Sequence, residues 1–124
     1  MADISSQTGN LAVYLLAKWA VPLLKSSPHP KPSFFVTNSH LPETPFPVLI
    51  SLSMSKGGQQ NLVLNLHGAF GEDIHFGLVK PCGLVGPEYK ELNPTNIAQK
   101  AIELYEQEKG SWGTMVSIHE PADS

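Results

Sequence analysis

The sequence contains a single cysteine, Cys82, and little positive charge. One thiol excludes an internal disulfide and a zinc site built from cysteines, and it fits a reducing compartment. Eight basic residues against eleven acidic ones give a net charge of −3, unlike the basic footprint of a nucleic-acid-binding protein. The histidines are too scattered along the chain to suggest a metal site: His29, His40, His67, His75 and His119.

No hydrophobic run in the sequence is long enough to cross a membrane. The stretch at 11–24 is interrupted by Lys18 and is shorter than the roughly 20 residues that a spanning helix needs. The first ten residues carry Asp3 and no basic segment, so they do not resemble a secretory signal peptide. We therefore expect a soluble cytoplasmic protein without membrane or nucleic-acid partners.

The chain has enough apolar sequence for one folded domain. Its 124 residues are 41% hydrophobic and 15% charged, a composition typical of a compact domain rather than a disordered chain. The sequence predicts a single domain over 1–124, with flexible tails at 1–7 and 120–124.

Helical and strand patterns alternate along the chain. Thr8 or Asn10 could cap the first helix, and Asn93 followed by Pro94 begins the third. The pattern predicts helices at 8–25, 50–70 and 94–109, and strands at 33–38, 74–80 and 113–119. We expect the apolar stripes of the helices to face the core: Leu11, Leu15, Leu16, Trp19, Leu23 and Leu24 in the first, Leu62, Leu66 and Phe70 in the second, and Ile97, Ala101, Leu104 and Tyr105 in the third.

The order α-β-α-β-α-β indicates an α/β fold with parallel strand pairing. We predict a partial Rossmann-like open parallel sheet of about three strands. Three strands are few for a doubly wound fold. The shortage is a first indication that part of such a fold is missing.

Two residues at a characteristic interval carry the strongest functional signal. Ser39 ends the first predicted strand, and Lys56 lies in the segment LSMSK near the start of the second helix. With the order of the elements, they resemble the C-terminal half of the short-chain dehydrogenase/reductase family. In that family a strand ending in serine is followed by Tyr-x-x-x-Lys at the head of a long helix. Counting forward from Ser39 or back from Lys56 places the family's tyrosine at Leu52.

Further segments extend the resemblance to about residues 8–119. Cys82 and Gly83 stand where the family has Pro-Gly, and Gly83 and Val85 match its cofactor-binding positions. Asn10 lies near the position of the family's proton-relay asparagine in the preceding helix. The last helix and strand resemble those of fungal members, which implies a fungal source and a role in secondary metabolism.

The resemblance implies an NAD(P)-dependent oxidoreductase that acts on a ketone or secondary alcohol. In the family the serine orients the substrate oxygen and the tyrosine transfers the proton. The lysine lowers the tyrosine's pKa and binds the nicotinamide ribose. Ser39 and Lys56 would keep these roles, whereas Leu52 has no proton to give. His40, which directly follows Ser39, is one group that could replace the tyrosine, because imidazole side chains commonly transfer protons in catalysis.

The sequence lacks several parts of the family's pattern. It has no counterpart of the Gly-rich first turn, of the acidic residue after the second strand, or of the first four strands. We therefore expect a truncated N-terminal half and impaired activity for the chain alone.

Each candidate residue also has a structural interpretation. Ser39 taken alone is a polar strand end, Lys56 a solvated first-turn lysine, and Asn10 a helix cap. Cys82 and Gly83 are typical of a turn, since glycine readily adopts positive φ. No setting for a reactive cysteine is visible around Cys82.

Two hypotheses of different class therefore remain open. In the first, the chain is an oxidoreductase whose site is completed by further sequence or by a partner chain. In the second, it is a noncatalytic remnant, or pseudoenzyme, that serves as an interaction or dimerisation module. The strand at 33–38 would present an open edge, and the helices at 8–25 and 50–70 resemble the pair that the family uses to form dimers. Both features predict a homo-oligomer or a poorly soluble monomer.

Overall fold

In the computed structural model, which describes residues 4–122, helices and strands alternate in the predicted order. A short 3-10 turn, Pro47–Leu49, precedes the second helix. The fold-class prediction is confirmed, since all three strands join one open parallel sheet. The helices are α1 (Ile4–Ser26), α2 (Ile50–Phe70) and α3 (Pro94–Tyr105), and the strands are β1 (Ser33–Thr37), β2 (His75–Pro81) and β3 (Met115–Ile118).

The sheet has the order β1-β2-β3, so β2 is its central strand. Ser33 is opposite His75 and Leu78 is opposite Met115 in the two parallel pairings. Six of the seven β2 residues are buried, which explains the nearly continuous apolar run of this strand. Within residues 4–122, β1 and β3 each pair on one side only, so both leave an edge open.

The helices cover both faces of the sheet and divide the core in two. The helices α1 and α2 pack on one face, around Phe76, Leu78 and Val63. Helix α3 packs on the other face, where Leu104 meets Val79 and Ile118. Successive β2 side chains alternate between the two layers, as expected for a strand.

Helix α3 begins as predicted but ends four residues earlier than the predicted residue 109. The Asn93 side chain accepts a hydrogen bond of 2.8 Å from the Asn96 N–H and caps the helix start. At the other end, the Lys31 ammonium donates a hydrogen bond to the Glu106 carbonyl at 2.8 Å, and the Trp112 indole donates one to the Gln107 carbonyl at 3.1 Å. If the helix continued, these two carbonyls would accept backbone N–H groups. Side chains supply the donors instead.

Helix α1 differs from the prediction at its start and in its inward face. It begins at Ile4, so part of the predicted 1–7 tail is helical, and Asn10 lies inside the helix rather than at its cap. The buried residues are Ala17, Ala20 and Val21. The larger residues predicted to be inward are more than half exposed, with Leu24 alone packed against the core: Leu11, Leu15, Leu16, Trp19 and Leu23.

Small residues explain which side of α1 faces inward. A Cβ added at Gly9 would lie 3.4 Å from the Ser55 hydroxyl oxygen, and one at Gly58 only 2.4 Å from the Asn10 amide nitrogen. The two helices therefore approach closely where their side chains are smallest. Since α1 is apolar around most of its circumference, a bulky apolar face is left outward. No helix in residues 4–122 is long and apolar enough to span a membrane.

A buried histidine lies at the amino-terminal edge of the sheet. His75 is 1% exposed, its ring stacks on Trp112 at 5.0 Å between centroids, and Phe35 meets it edge-on at 4.9 Å. Its Nε2 lies 2.8 Å from the Gly113 carbonyl oxygen, which identifies Nε2 as the protonated nitrogen. Its Nδ1 is buried and has no hydrogen-bond partner among residues 4–122.

Candidate functional site

The carboxyl ends of the three parallel strands meet at one edge of the sheet, where open α/β sheets usually bind ligands. Ser39 follows β1, Cys82 and Gly83 follow β2, and His119 follows β3. Main-chain hydrogen bonds join these ends, since the Asn38 N–H donates to the Val79 carbonyl at 2.7 Å and the Cys82 N–H donates to the Ile118 carbonyl at 2.8 Å. Most of the residues singled out from the sequence therefore lie at or near this edge.

Asn38 connects the end of β1 with the start of α2. It is 5% exposed, and its side-chain amide donates a 3.0 Å hydrogen bond to the Lys56 carbonyl. Its side-chain oxygen accepts the Ser39 N–H at 2.8 Å. The Ser39 hydroxyl accepts the Leu41 N–H at 3.2 Å, which starts the following turn. The sequence singled out Ser39 but not the buried asparagine that positions it.

Lys56 is half-buried on α2 and reaches back to β1. Its ammonium lies 3.4 Å from the Thr37 carbonyl oxygen, a long hydrogen bond that leaves its other N–H groups available. Leu52 lies one turn earlier on the same face of α2 and is 46% exposed. Ser39, Leu52 and Lys56 therefore come from two elements that Asn38 holds together.

Asn10 is brought to the α1–α2 contact beside the site. The Ser55 hydroxyl donates to the Asn10 side-chain oxygen at 3.2 Å and itself accepts from the Gln59 amide at 3.1 Å. Ser55 directly precedes Lys56, so Asn10 contacts the residue next to the candidate lysine. No hydrogen bond joins Asn10 to Lys56 in residues 4–122. Its observed contacts are those of a polar pair between two helices.

The loop after β2 contains the two predicted cofactor contacts. Gly83 has φ +146°, and a Cβ there would lie 2.9 Å from a Leu92 methyl carbon, so the turn requires glycine. Val85 is 49% exposed. Burial raises the pKa of the Cys82 thiol, whose sulfur donates to the Lys80 carbonyl at 3.2 Å. A raised pKa does not suit a nucleophile.

Glu120 holds the far end of this loop, although the sequence placed it in a tail. Its carboxylate accepts the N–H groups of Lys90, Glu91 and Leu92 at 2.8, 2.8 and 3.1 Å. Burial acts to raise the pKa of Glu120, but these hydrogen bonds outweigh it and the pKa is lowered. The end of β3 is thereby fixed to the loop that carries Gly83.

Three polar residues that the sequence did not single out meet at the same edge. The Lys80 ammonium, at the end of β2, binds the Glu43 carboxylate and the Gln60 side-chain oxygen. The Gln60 amide also donates to Glu43 at 3.2 Å. A signal was present: Lys80 continues the buried run of β2, and a charge within such a run needs a partner.

His40 lies beside the end of β3. Its ring meets that of His119 at 5.6 Å between centroids, nearly perpendicular. Both rings are exposed. The direction of His40, which the sequence could not give, is therefore towards the end of β3.

Neither metal chemistry nor comparison with other proteins adds an assignment. In the described part of the chain, no group of three or more His, Cys, Asp or Glu side chains could hold a metal ion. Comparison of the chain with protein-family models, with curated proteins and with solved structures finds no match. The geometry of the carboxyl edge and the sequence pattern are thus the basis for any functional proposal.

Proposed function

We propose that this chain is a short-chain dehydrogenase/reductase-like protein, by resemblance an NAD(P)-dependent oxidoreductase for a ketone or secondary alcohol. The observation that carries the proposal is the link between the end of β1 and the start of α2. Asn38 donates to the Lys56 carbonyl at 3.0 Å, and the Lys56 ammonium reaches the Thr37 carbonyl. Ser39 and Lys56 then stand at the carboxyl edge, as the resemblance requires.

The residues present fit the nicotinamide end of the cofactor. Lys56 has N–H donors for ribose hydroxyl groups besides its long bond to the Thr37 carbonyl, and the Gly83 turn follows β2 at the same edge of the sheet. The connection from β1 to α2 contains no glycine, and residues 4–122 contain no Gly-rich strand-to-helix turn for the pyrophosphate. We propose that further sequence or a partner chain supplies that part.

Each side chain has a defined task in this proposal. The bound nicotinamide would supply or accept the hydride. The Ser39 hydroxyl would donate to the substrate oxygen, and Lys56 would hold the ribose and favour negative charge on that oxygen. Leu52 provides no proton, so the alkoxide must take its proton from water or a neighbouring group. A missing acid of this kind typically slows catalysis by roughly 10²–10⁴-fold.

Nicotinamide binding tests the proposal directly. We expect NADH or NADPH to bind this chain through the nicotinamide end alone, and therefore weakly, seen as a change in nicotinamide fluorescence. Lys56→Met should weaken that binding by roughly tenfold or more, because a charged hydrogen-bond donor is lost. Lys109→Met removes an exposed lysine at the opposite edge of the sheet and serves as the control. Absence of binding, or equal binding by wild type and Lys56→Met, contradicts the proposal.

A second candidate function is that of a noncatalytic interaction module that forms homo-oligomers. It is supported by the outer face of α1, which we define as Leu11, Leu15, Leu16, Trp19 and Leu23. Every one of these side chains is more than half exposed, and Trp19 is 66% exposed. Residues at this spacing form one continuous stripe on a helix, and an apolar stripe of this size is typical of a protein contact.

The outer face of α1 predicts concentration-dependent self-association. We expect wild type to sediment as a dimer or larger species at tens of micromolar, and Leu16→Glu to sediment as a smaller species. Ile102→Glu, a similar change at a 48% exposed position on α3, should leave the wild-type behaviour unchanged. A stable wild-type monomer at these concentrations counts against this candidate.

A further inference from the structure

A buried ammonium group lies at the carboxyl end of β2. Lys80 is 1% exposed and lies on the same face of the strand as Phe76 and Leu78, beneath α1 and α2. Removing a charged amine from water is costly unless charged and hydrogen-bonding partners replace the water. The partners of Lys80 therefore define the kind of group that this position binds.

The only anionic partner of Lys80 within residues 4–122 comes from a loop. Lys80 lies on the central strand and Gln60 on α2, so both are held by regular structure. Glu43 lies in the turn after β1, where its N–H donates a hydrogen bond to the His40 carbonyl at 3.1 Å. The Glu43 side chain is 41% exposed. Two donors are thus fixed, and the acceptor that satisfies both sits on an exposed loop.

These donors adjoin the proposed reaction site. Gln60 is one helical turn beyond Lys56 on the same face of α2, and Leu52 is one turn before it. The Asn38 N–H bonds the Val79 carbonyl, so Ser39 follows the strand end beside Lys80. The candidate residues and these donors therefore share the adjoining ends of β1 and β2 and one face of α2, and the Glu43 carboxylate is the group that Lys80 and Gln60 bind there.

We propose that Lys80 and Gln60 form a carboxylate-binding seat, which Glu43 fills in this structure. A ligand carboxylate that takes the place of Glu43 keeps the hydrogen bonds of both donors and leaves no unpaired buried charge. Resting on the proposed function, the substrate is then a ketone or secondary alcohol that also bears a carboxylate. The seat itself does not depend on catalysis.

The donor set favours a carboxylate over a phosphate group. One ammonium and one side-chain amide match a single negative charge with two acceptor oxygens. A phosphate carries up to twice that charge and a third oxygen, which would require more donors than Lys80 and Gln60 offer. Phosphate is therefore a comparison ligand in the test.

Chemical rescue of a Glu43 variant tests the seat without cofactor or turnover. We expect Glu43→Ala to melt roughly 5 °C lower than wild type, because it leaves Lys80 buried without an anion. Sodium acetate should recover at least half of that loss in a saturable manner. Sodium chloride at equal ionic strength and acetamide should not. Glu103→Ala, which removes an exposed ion pair with Lys100, is the matched control and should not respond to acetate.

The double variant Glu43→Ala/Lys80→Met identifies the group that acetate binds. It should show no acetate response, since the buried charge is gone. Equal acetate responses in the single and double variants, an equal effect of chloride, or a larger effect of phosphate would overturn the proposal. If Glu43→Ala does not fold in chloride, the same comparison is made on refolding yield. Rescue by acetate without nicotinamide binding would contradict the proposed function and leave the seat standing.

Discussion

Replacing Leu52 by tyrosine is expected to raise the rate of NAD(P)H-dependent ketone reduction by roughly 10²–10⁴-fold. The phenol would lie one turn from Lys56 on the same face of α2, where the ammonium favours its ionised form. Because Leu52 is 46% exposed, the larger side chain can be accommodated without overpacking the core. Initial rates of cofactor oxidation with a panel of ketones, with and without a carboxylate group, provide the measurement.

Two further variants separate proton transfer from the addition of an aromatic ring. Leu52→Phe adds the ring without the hydroxyl and should remain at the wild-type rate. Leu52→Tyr combined with Lys56→Met should lose most of the gain. Equal rates for Leu52→Tyr and Leu52→Phe would show that position 52 has no part in proton transfer.

Stability should fall as the pH drops below about 6.5, and His75 is the expected cause. Burial lowers the pKa of His75, the hydrogen bond to the Gly113 carbonyl opposes this, and His67 and Lys31 lower it further. The unfolded chain therefore binds a proton near pH 6.5 while the folded chain stays neutral. The stabilisation is complete above that pH and is lost towards the lower pKa of the folded state. The slope can reach about 1.4 kcal/mol per pH unit.

Urea unfolding of wild type and His75→Phe between about pH 5 and 8 measures this dependence. The variant keeps an aromatic ring against Trp112 but cannot titrate, so the decline should be much smaller. His119→Phe changes an exposed histidine and should retain the wild-type profile. A wild-type decline that persists in His75→Phe would assign the acid sensitivity to other groups.

Element order was predictable from the sequence because helical and strand patterns are local. The bounds of α2 match the prediction, and the Asn93 cap of α3 is confirmed. The end of α3 was predicted wrongly, since it depends on Lys31 and Trp112, which approach from elsewhere in the chain. Local patterns contain no information about such distant partners.

The inward face of α1 could not be predicted from hydrophobicity alone. Apolar residues surround this helix, so several faces were equally suitable for burial. Close contact with α2 at Gly9 and Gly58 selected the small residues, and Leu16 and Trp19 were left outward. Selection of this kind depends on shape, which a hydrophobic pattern does not record.

The candidate site was predicted in part. Ser39, Leu52 and Lys56 were identified by spacing, and the structure places all three where β1 and α2 meet. Whether they act in catalysis stays a prediction. Lys80 was not identified, although a charge within a buried strand needs a partner. Glu43 was not identified because nothing in the sequence indicates that this loop residue returns to the central strand. A contact between a loop residue and a strand that is distant in sequence becomes visible only in the three-dimensional structure.

The parallel sheet has a consequence for how the chain is made. Ser33 pairs with His75, and Leu78 pairs with Met115, so each pairing closes a long stretch of chain. Such closures slow folding compared with a helical bundle of similar size. On the ribosome, β1 emerges well before β2, its partner within residues 4–122. We expect the apolar segment around Phe34 and Phe35 to depend on chaperones or to aggregate until β2 has been synthesised.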